Sequence, residues 1–363
     1  MRFTTLYPNC SNVELVKDVG QIPYMLSKLY DDIEATLVGC NIDLNGSNID
    51  SISGVKIKNI KAPFNNLNLS GILYLMFNSR NIDILNVYHA GRRTYFYTKF
   101  YKFLNPKGKV YLKLDLDFRS CEMYDNDQWE RKLFNKVTKS VDFVSVESEA
   151  VRERIQIYSN NKIEIIGNGF CETSFNLDIY HKNNSFITVG RLGTKQKATE
   201  IILEAFAKTS RKHDWNLILI GSIEEEFIKY IENFYTKYPE LKNRVLFKGA
   251  IHDRKTLYKE YASAKVFLLP SRWEGFCLVA GEALSCGCRM ILSDKVPPNM
   301  EVTNNLRFGE VVKVEDVTSL ASAMISETKR TFNENEIKNI KDYAEEKFSW
   351  FNICVKLNTM LRN

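Results

Sequence analysis

Two glutamates, Glu274 and Glu282, flank Gly275, Phe276 and Cys277 in the stretch "SRWEGFCLVAGEALSCGC" (271–288). Apolar runs on either side, "AKVFLLP" and "RMILSD", make the stretch the loop and helix of a strand–loop–helix–strand unit. Gly275 allows a ligand to approach the backbone closely. The amides of Phe276, Cys277 and Leu278 precede or open the helix, where free N–H groups and the helix dipole favour an anion. Glu274, at the loop tip, is placed to accept hydrogen bonds from sugar hydroxyls. Glu282, farther along the helix, is placed to chelate a ribose diol. The plain alternative is a helix carrying Glu282 as an ordinary surface acid. The small, apolar surroundings "LVAGEALSCG" argue for burial, and a buried acid needs a partner.

A second constellation is "VGRLGTKQKATEIILEAFA" (189–207). Arg191 leaves the end of a strand and Lys197 comes just before a helix. Two cations beside a helix start suit a diphosphate. The alternative is a solvated basic loop, in which Lys195 and Lys197 face water.

Alternating strand and helix signals must position these residues. "RFTTLYP", "EATLVGC", "DILNVYHA", "KVYLKLDL" and "VDFVSVES" read as strands, with helical segments such as "VGQIPYMLSKLYDD" between them. A second series runs through "SFITVGRL", "NLILIGS", "VLFKGAI", "VFLLP" and "RMILSD". The β-α-β-α order implies mostly parallel sheets covered on both faces. The turn-rich stretch "IEIIGNGFCETSFNLDIYHKNN" between the series reads as the interdomain linker. The expected fold class is therefore α/β, with two facing doubly wound domains and a ligand cleft outside the carboxyl ends of the strands. The expected domains are 1–170 and 171–345, with a C-terminal helix in 346–363 packing back on the first.

Composition narrows the function. A length of 363 residues, 26% of them charged and 44% apolar, is that of an ordinary two-domain globular protein. A net charge of +6 is too mild for a dedicated nucleic-acid binder. The eight cysteines lack zinc-site spacing, so free thiols in a reducing cytosol are expected and no metal site is assigned. The N-terminus lacks an apolar signal-peptide core, and apolar runs such as "GILYLMF" are too short to span a bilayer. A soluble cytoplasmic protein is expected. No Walker-type G-x-x-x-x-G-K-[ST] occurs, and "GNGFCE" has Glu172 where a dinucleotide fingerprint needs its third glycine.

The 271–288 stretch resembles the E-x7-E motif of retaining GT-B glycosyltransferases of family 4, with Glu274 and Glu282 as its glutamates. Arg191 and Lys197 match that family's diphosphate element, and the likeness is strong from about Phe186 to Asp294. It implies two facing Rossmann-like domains, a nucleotide-sugar donor (UDP by family frequency) on the C-terminal one and an acceptor on the N-terminal one. Retention of anomeric configuration is likewise implied; the cationic pair already neutralises the diphosphate, so no metal and no cofactor beyond the donor is expected. The first half departs from the pattern. The family's glycine pair after the first strand is replaced by Gly20 alone, either a donor-site glycine or a turn residue. For the family's mid-domain histidine, two strand ends compete: His89, and the acids Asp115 and Asp117. Asp115 is favoured, with His89 and Asp117 kept as acceptor-side candidates. "DLD" also fits a metal-binding D-x-D of GT-A enzymes, but the two-domain pattern argues against that fold.

Finally, "RRTYFYTKFYKFLNPKGKVY" (92–111) holds six basic residues, seven aromatics and no acids. Arg92, Arg93, Lys99 and Lys102 are candidate contacts to an anionic membrane at the inner face of the cell membrane. The alternative is a helix with core aromatics and solvated cations. These readings converge on a hexosyltransferase extending a glycan acceptor, lipid-linked, in cell-surface polysaccharide or glycoconjugate synthesis. The rivals are a non-catalytic GT-B partner subunit and a GT-B sugar-nucleotide epimerase.

Overall fold

The computed structural model describes residues 1–363 except 171–174 and 176. The chain divides into two compact units, Met1–Cys171 with Ser349–Asn363, and Glu172–Phe348. The expected boundary at 170/171 abuts residues outside the described set.

In the first unit, strands β1 (Arg2–Leu6), β2 (Glu34–Gly39), β3 (Lys56–Asn59), β4 (Ile84–Tyr88), β5 (Lys109–Lys113), β6 (Phe143–Val146) and β7 (Ile163–Ile165) form one sheet. Their order is β3-β2-β1-β4-β5-β6-β7, and all pairings are parallel. Helices α1 (Asp18–Leu29), α2 (Leu67–Asn78), α3 (Arg92–Leu104), α4 (Phe118–Asn126), α5 (Gln128–Thr138) and α6 (Glu149–Ile155) connect them. Period-two alternation builds both faces. Ile84 and Tyr111 enter one core with Phe3, Ile22 and Trp350, while Leu85, Val110 and Leu112 enter the opposite core with Tyr97 and Tyr101.

The second unit has β8 (Asn183–Val189), β9 (Asn216–Ile220), β10 (Val245–Phe247), β11 (Ala264–Leu269), β12 (Arg289–Ser293) and β13 (Gly309–Val312). They form a parallel sheet in the order β10-β9-β8-β11-β12-β13. Its helices are α7 (Thr199–Thr209), α8 (Glu225–Lys237), α9 (Arg254–Ser263), α10 (Leu278–Ser285), α11 (Asn299–Val302), α12 (Val317–Thr328) and α13 (Glu334–Phe348). Ser349 then caps α14 (Trp350–Arg362), accepting a bond from the Asn352 amide. Trp350 and Leu357 of α14 are buried in the first unit with Ile22 and Leu26 of α1. The chain thus returns to the first unit at Ser349, and position 345/346 lies inside α13.

The linker reading needs correction at both ends. Ile163–Ile165 is a seventh strand, paired Val144↔Ile163 with β6, and Asn183 and Asn184 already belong to β8. Three residues are too short to show alternation, and pairing with β6 and the burial of Ile163 identify β7.

Strand order reverses between β1 and β4 in the first sheet and between β8 and β11 in the second. In open α/β sheets, ligands settle outside the carboxyl ends of the strands at such reversals. The candidate residues cluster at both.

Candidate active site

At the β8/β11 reversal, Gly190 and Arg191 follow β8, and the loop 270–277 follows β11. Lys197 Nζ lies 2.6 Å from Glu274 Oε1, although the two residues are 77 apart in sequence. Gln196 Nε2 donates to the Trp273 carbonyl at 3.0 Å and to Glu274 Oε2 at 3.3 Å, tying one loop to the other. Glu274 is buried, and Lys197 supplies the cation that its burial requires. Arg191 is exposed and reaches the Gln196 side chain, at 3.4 Å. Gly221, at the end of β9, has φ +141°, and a Cβ there would meet the Gly190 carbonyl oxygen at 1.7 Å. The two strand ends therefore touch backbone to backbone.

The helix-start amides take the expected place. Cys277, in the left-handed conformation, is the N-cap of α10, and no side chain caps it. Gly275 is half-buried, and Leu278 opens the helix. The Phe276 ring packs edge-on against Phe348, 5.9 Å between centroids. Burial pushes the Cys277 thiol well up, so it stays protonated. Glu282 is buried on α10 and has partners that sequence reasoning missed. Arg254 Nη2 lies 2.9 Å from Oε1, and the Tyr261 hydroxyl donates to Oε2 at 3.1 Å. A carboxylate has about four acceptor sites, so room remains for a diol.

Arg272 was also missed. It binds Glu200 at 2.5 Å, the Lys195 carbonyl at 2.7 Å, and Glu315. Glu315 and then Glu200 hold its guanidinium pKa above the usual value despite partial burial. The arginine thus pins the loops after β8, β11 and β13 together.

In the first unit, His89 and Asp115 stand at the ends of the paired strands β4 and β5. Both are exposed and both are left-handed, with φ +60° and +50°. His89 Nδ1 lies 3.2 Å from the Leu114 carbonyl, so the two competing candidates share one rim. Asp117 has a different duty. It caps α4, accepting from the Ser120 amide at 2.8 Å, and it pairs with Arg119 at 2.7 Å. Gly20 is buried in the first turn of α1, where a Cβ would sit 2.3 Å from the Leu15 carbonyl oxygen. Close packing on the preceding turn therefore accounts for this glycine without a ligand.

Beneath the rim is a buried ionic group absent from the sequence reading. Lys113 Nζ lies 2.8 Å from Glu147, 3.9 Å from Asp18 and 2.9 Å from the Ile166 carbonyl. Glu147 also accepts the amides of Asp115 (3.2 Å) and Leu116 (3.3 Å), which holds the loop carrying Asp115. Burial, reinforced by Asp115 and Glu147 and opposed by Lys113, pushes Asp18 up to about 7. The available signal was a lysine inside the otherwise apolar strand "KVYLKL" and an acid closing "VDFVSVE".

The aromatic–basic segment is α3. Thr94, Tyr97, Thr98 and Tyr101 face the core, and the Tyr97 and Tyr101 hydroxyls donate to the Leu67 and Ile82 carbonyls. Phe96 and Phe103 point outward, as does Phe77 of α2, with Lys99 on the same α3 stripe. Lys102 pairs with Asp142 at 2.6 Å. Arg92 stacks over the Trp129 ring at 4.4 Å, and Arg93 donates to Asn68 and Asn9.

Residues 171–347 match the family described as Glycosyl transferases group 1. The match takes in the second unit of the chain. An uncharacterized glycosyltransferase of Methanocaldococcus jannaschii is 27% identical over 235 residues, 60% of this chain and 58% of that protein. The N-acetylgalactosamine-N,N'-diacetylbacillosaminyl-diphospho-undecaprenol 4-alpha-N-acetylgalactosaminyltransferase of Campylobacter jejuni is 28% identical over 166 residues, 45% of this chain and 41% of that one. The matches thus span about half the length of these relatives. Among solved structures, HepE of Anabaena in complex with UDP superposes with a TM-score of 0.74 over 99% of both chains at 16% identity. The fold is α/β of the GT-B class, and the group 1 match covers the unit that holds Arg191, Lys197, Glu274 and Glu282.

Proposed function

We propose that this protein is a retaining glycosyltransferase that moves a hexose-type sugar from a nucleotide diphosphate sugar, UDP preferred, to a lipid-linked glycan acceptor. The product belongs to cell-surface polysaccharide or glycoconjugate synthesis. The observation that carries the reading is the convergence of two distant motifs in the Lys197–Glu274 pair, at 2.6 Å, on the strand-order reversal of the group 1 unit. The donor's diphosphate takes Arg191, Lys197 and the α10 amides, its sugar takes Glu274, and its ribose takes Glu282. When the bond from the anomeric carbon to the β-phosphate oxygen breaks, those cations and amides stabilise the charge developing on the diphosphate. The acceptor oxygen attacks from the same face, and its proton passes to the leaving phosphate. No side-chain nucleophile and no metal is used. Asp115 and His89 border the acceptor.

The lipid-linked acceptor is supported by the diphospho-undecaprenol substrate in the name of the Campylobacter jejuni relative and by the outward stripe of Phe96, Lys99 and Phe103. No helix among the described residues is long and apolar enough to cross a membrane, so attachment would be peripheral, at an anionic inner surface. Two measurements test the reading. Incubation with a panel of UDP- and GDP-sugars should give slow hydrolysis of one donor, with proton NMR showing the retained anomer first. No turnover of any donor would point to a partner subunit, and an isomerised nucleotide sugar to an epimerase. Vesicles containing anionic lipid should bind the protein at low salt, and replacing Phe96, Lys99 and Phe103 by Ser, Gln and Ser should release it. Equal binding of that variant would remove the membrane contact.

A further inference from the structure

The strand-order reversal of the first unit holds a cavity of about 320 Å³. Its walls are the ends of β1 and β4 and the start of α3, including Tyr7, Asn9, His89, Arg92 and Arg93. The volume falls at the lower end of the range for small-molecule sites, about 300–1,000 Å³, enough for a phosphate with a sugar ring rather than an oligosaccharide.

Charge is unevenly divided along this cavity. At the α3 end, the Arg93 guanidinium donates to neutral amide oxygens, Asn68 at 2.5 Å and Asn9 at 3.1 Å. Arg92 lies against the Trp129 ring. Among the described residues, neither arginine forms an ion pair with a carboxylate. Elsewhere in this unit arginines do find acids, as in Arg2–Asp83 and Arg154–Asp125. Burial raises the pKa of the Tyr7 phenol, and the charges of Glu14, Asp115 and Asp18 raise it further. The Tyr7 and His89 rings are 6.2 Å apart. A guanidinium beside a cavity, satisfied by neutral groups alone, retains its charge for an incoming anion.

We infer that this cavity is an acceptor subsite that reads a phosphate: Arg92 and Arg93 take the phosphate or diphosphate that carries the acceptor glycan, and the sugar next to it lies toward Tyr7, His89 and Asp115. The substrate class that follows is a short acceptor, whose reacting hydroxyl is within about one ring of its phosphate. This deepens the glycosyltransferase reading and rests on it. The phosphate can belong to a lipid diphosphate or to a soluble sugar phosphate, which share the recognised chemistry.

The test uses the full chain and inorganic pyrophosphate as the probe, by calorimetry, with the donor site disabled by Arg191→Ala and Lys197→Ala. One pyrophosphate site should remain. Arg93→Gln should weaken it at least tenfold, and Arg93→Lys should restore part of the loss. Thermal melts check that each variant folds. Asn9→Asp provides an independent second variant, because it sets a carboxylate against Arg93 and should weaken binding comparably. A monosaccharide 1-phosphate and a prenyl diphosphate sugar in detergent should both displace the probe, and the unphosphorylated sugar should not. Loss of all pyrophosphate binding in the donor-site background would overturn the inference, as would binding unaffected by both Arg93→Gln and Asn9→Asp. Displacement by anionic vesicles lacking diphosphate would mean that the arginines read lipid headgroups, and would overturn it too. Pyrophosphate binding that depends on Arg93, without turnover of any donor, would instead refute the transferase reading and leave the subsite standing.

Discussion

The two strand-order reversals differ in which of their cations meet an acid, although Arg191 at β8/β11, like Arg93 at β1/β4, reaches a neutral side chain. At β8/β11 the cation Lys197 is joined to the buried acid Glu274, and Glu282 to Arg254. At β1/β4, Arg93 rests on two asparagines. A site whose charges neutralise each other can bury them before a ligand arrives, but a ligand must then share or displace a partner. A site with unneutralised arginines has to stay open to water and attracts anions at longer range. The first arrangement suits a ligand bearing both an anion and hydroxyls, as a nucleotide sugar does. The second suits a phosphate.

The largest expected effect breaks the paired site. Lys197→Ala removes a charge-assisted hydrogen bond to the donor, roughly 1.5–3 kcal/mol, and should lower turnover at least about tenfold. It should also weaken UDP binding in calorimetry. Unchanged UDP affinity would remove Lys197 from the donor site.

A subtler change sharpens the comparison. Glu274→Gln takes the acid away from Lys197 and leaves its ammonium to the diphosphate, as Arg93 is left to an anion in the other unit. UDP should then bind as well as wild type or a few-fold tighter, while turnover drops because the sugar loses its acceptor. Glu282→Gln should behave differently, weakening UDP itself because its partner is the ribose. Equal losses of UDP affinity in the two variants would contradict this division.

A separate effect concerns stability beneath the first unit's rim. Asp18 holds its proton to about pH 7 in the folded chain, whereas an unfolded aspartate releases it near pH 4. The folded state therefore binds more protons across that window. This contribution to stability is complete below the unfolded value, falls as pH rises from about 4 to about 7, and is gone above it. Asp18→Asn should flatten this slope in thermal melts between pH 5 and 8 and leave the variant relatively more stable at pH 8. An unchanged slope would show that Asp18 titrates normally.

How much of this was legible varies along the chain. Glu274, Glu282, Arg191 and Lys197 lie in local motifs with strong punctuation: a strand run, a glycine, a helix start. The chemistry of such a loop follows from short-range spacing, and the order of strands and helices already implied parallel sheets. The short strands β3, β7 and β13 escaped, since three or four residues carry little periodicity and are fixed by their neighbours in the sheet. By residue type, Gly20 can be a donor-site glycine or a turn residue, and Asp117 can face an acceptor. Packing on Leu15 and capping of α4 are contacts that residue type alone does not reveal.

The sequence by itself determined which residues can bind charge and which segments become strands or helices, because both depend on neighbours a few positions away. Only the tertiary structure decided who pairs with whom. Lys197 meets Glu274 across 77 residues, Arg254 meets Glu282 across 28, and Lys113 meets Glu147 across 34. Those pairings follow from the strand order of each sheet, which brings distant loops to a common edge. Whether a cation there is neutralised or left open is set by that convergence, not by the residues beside it in the chain.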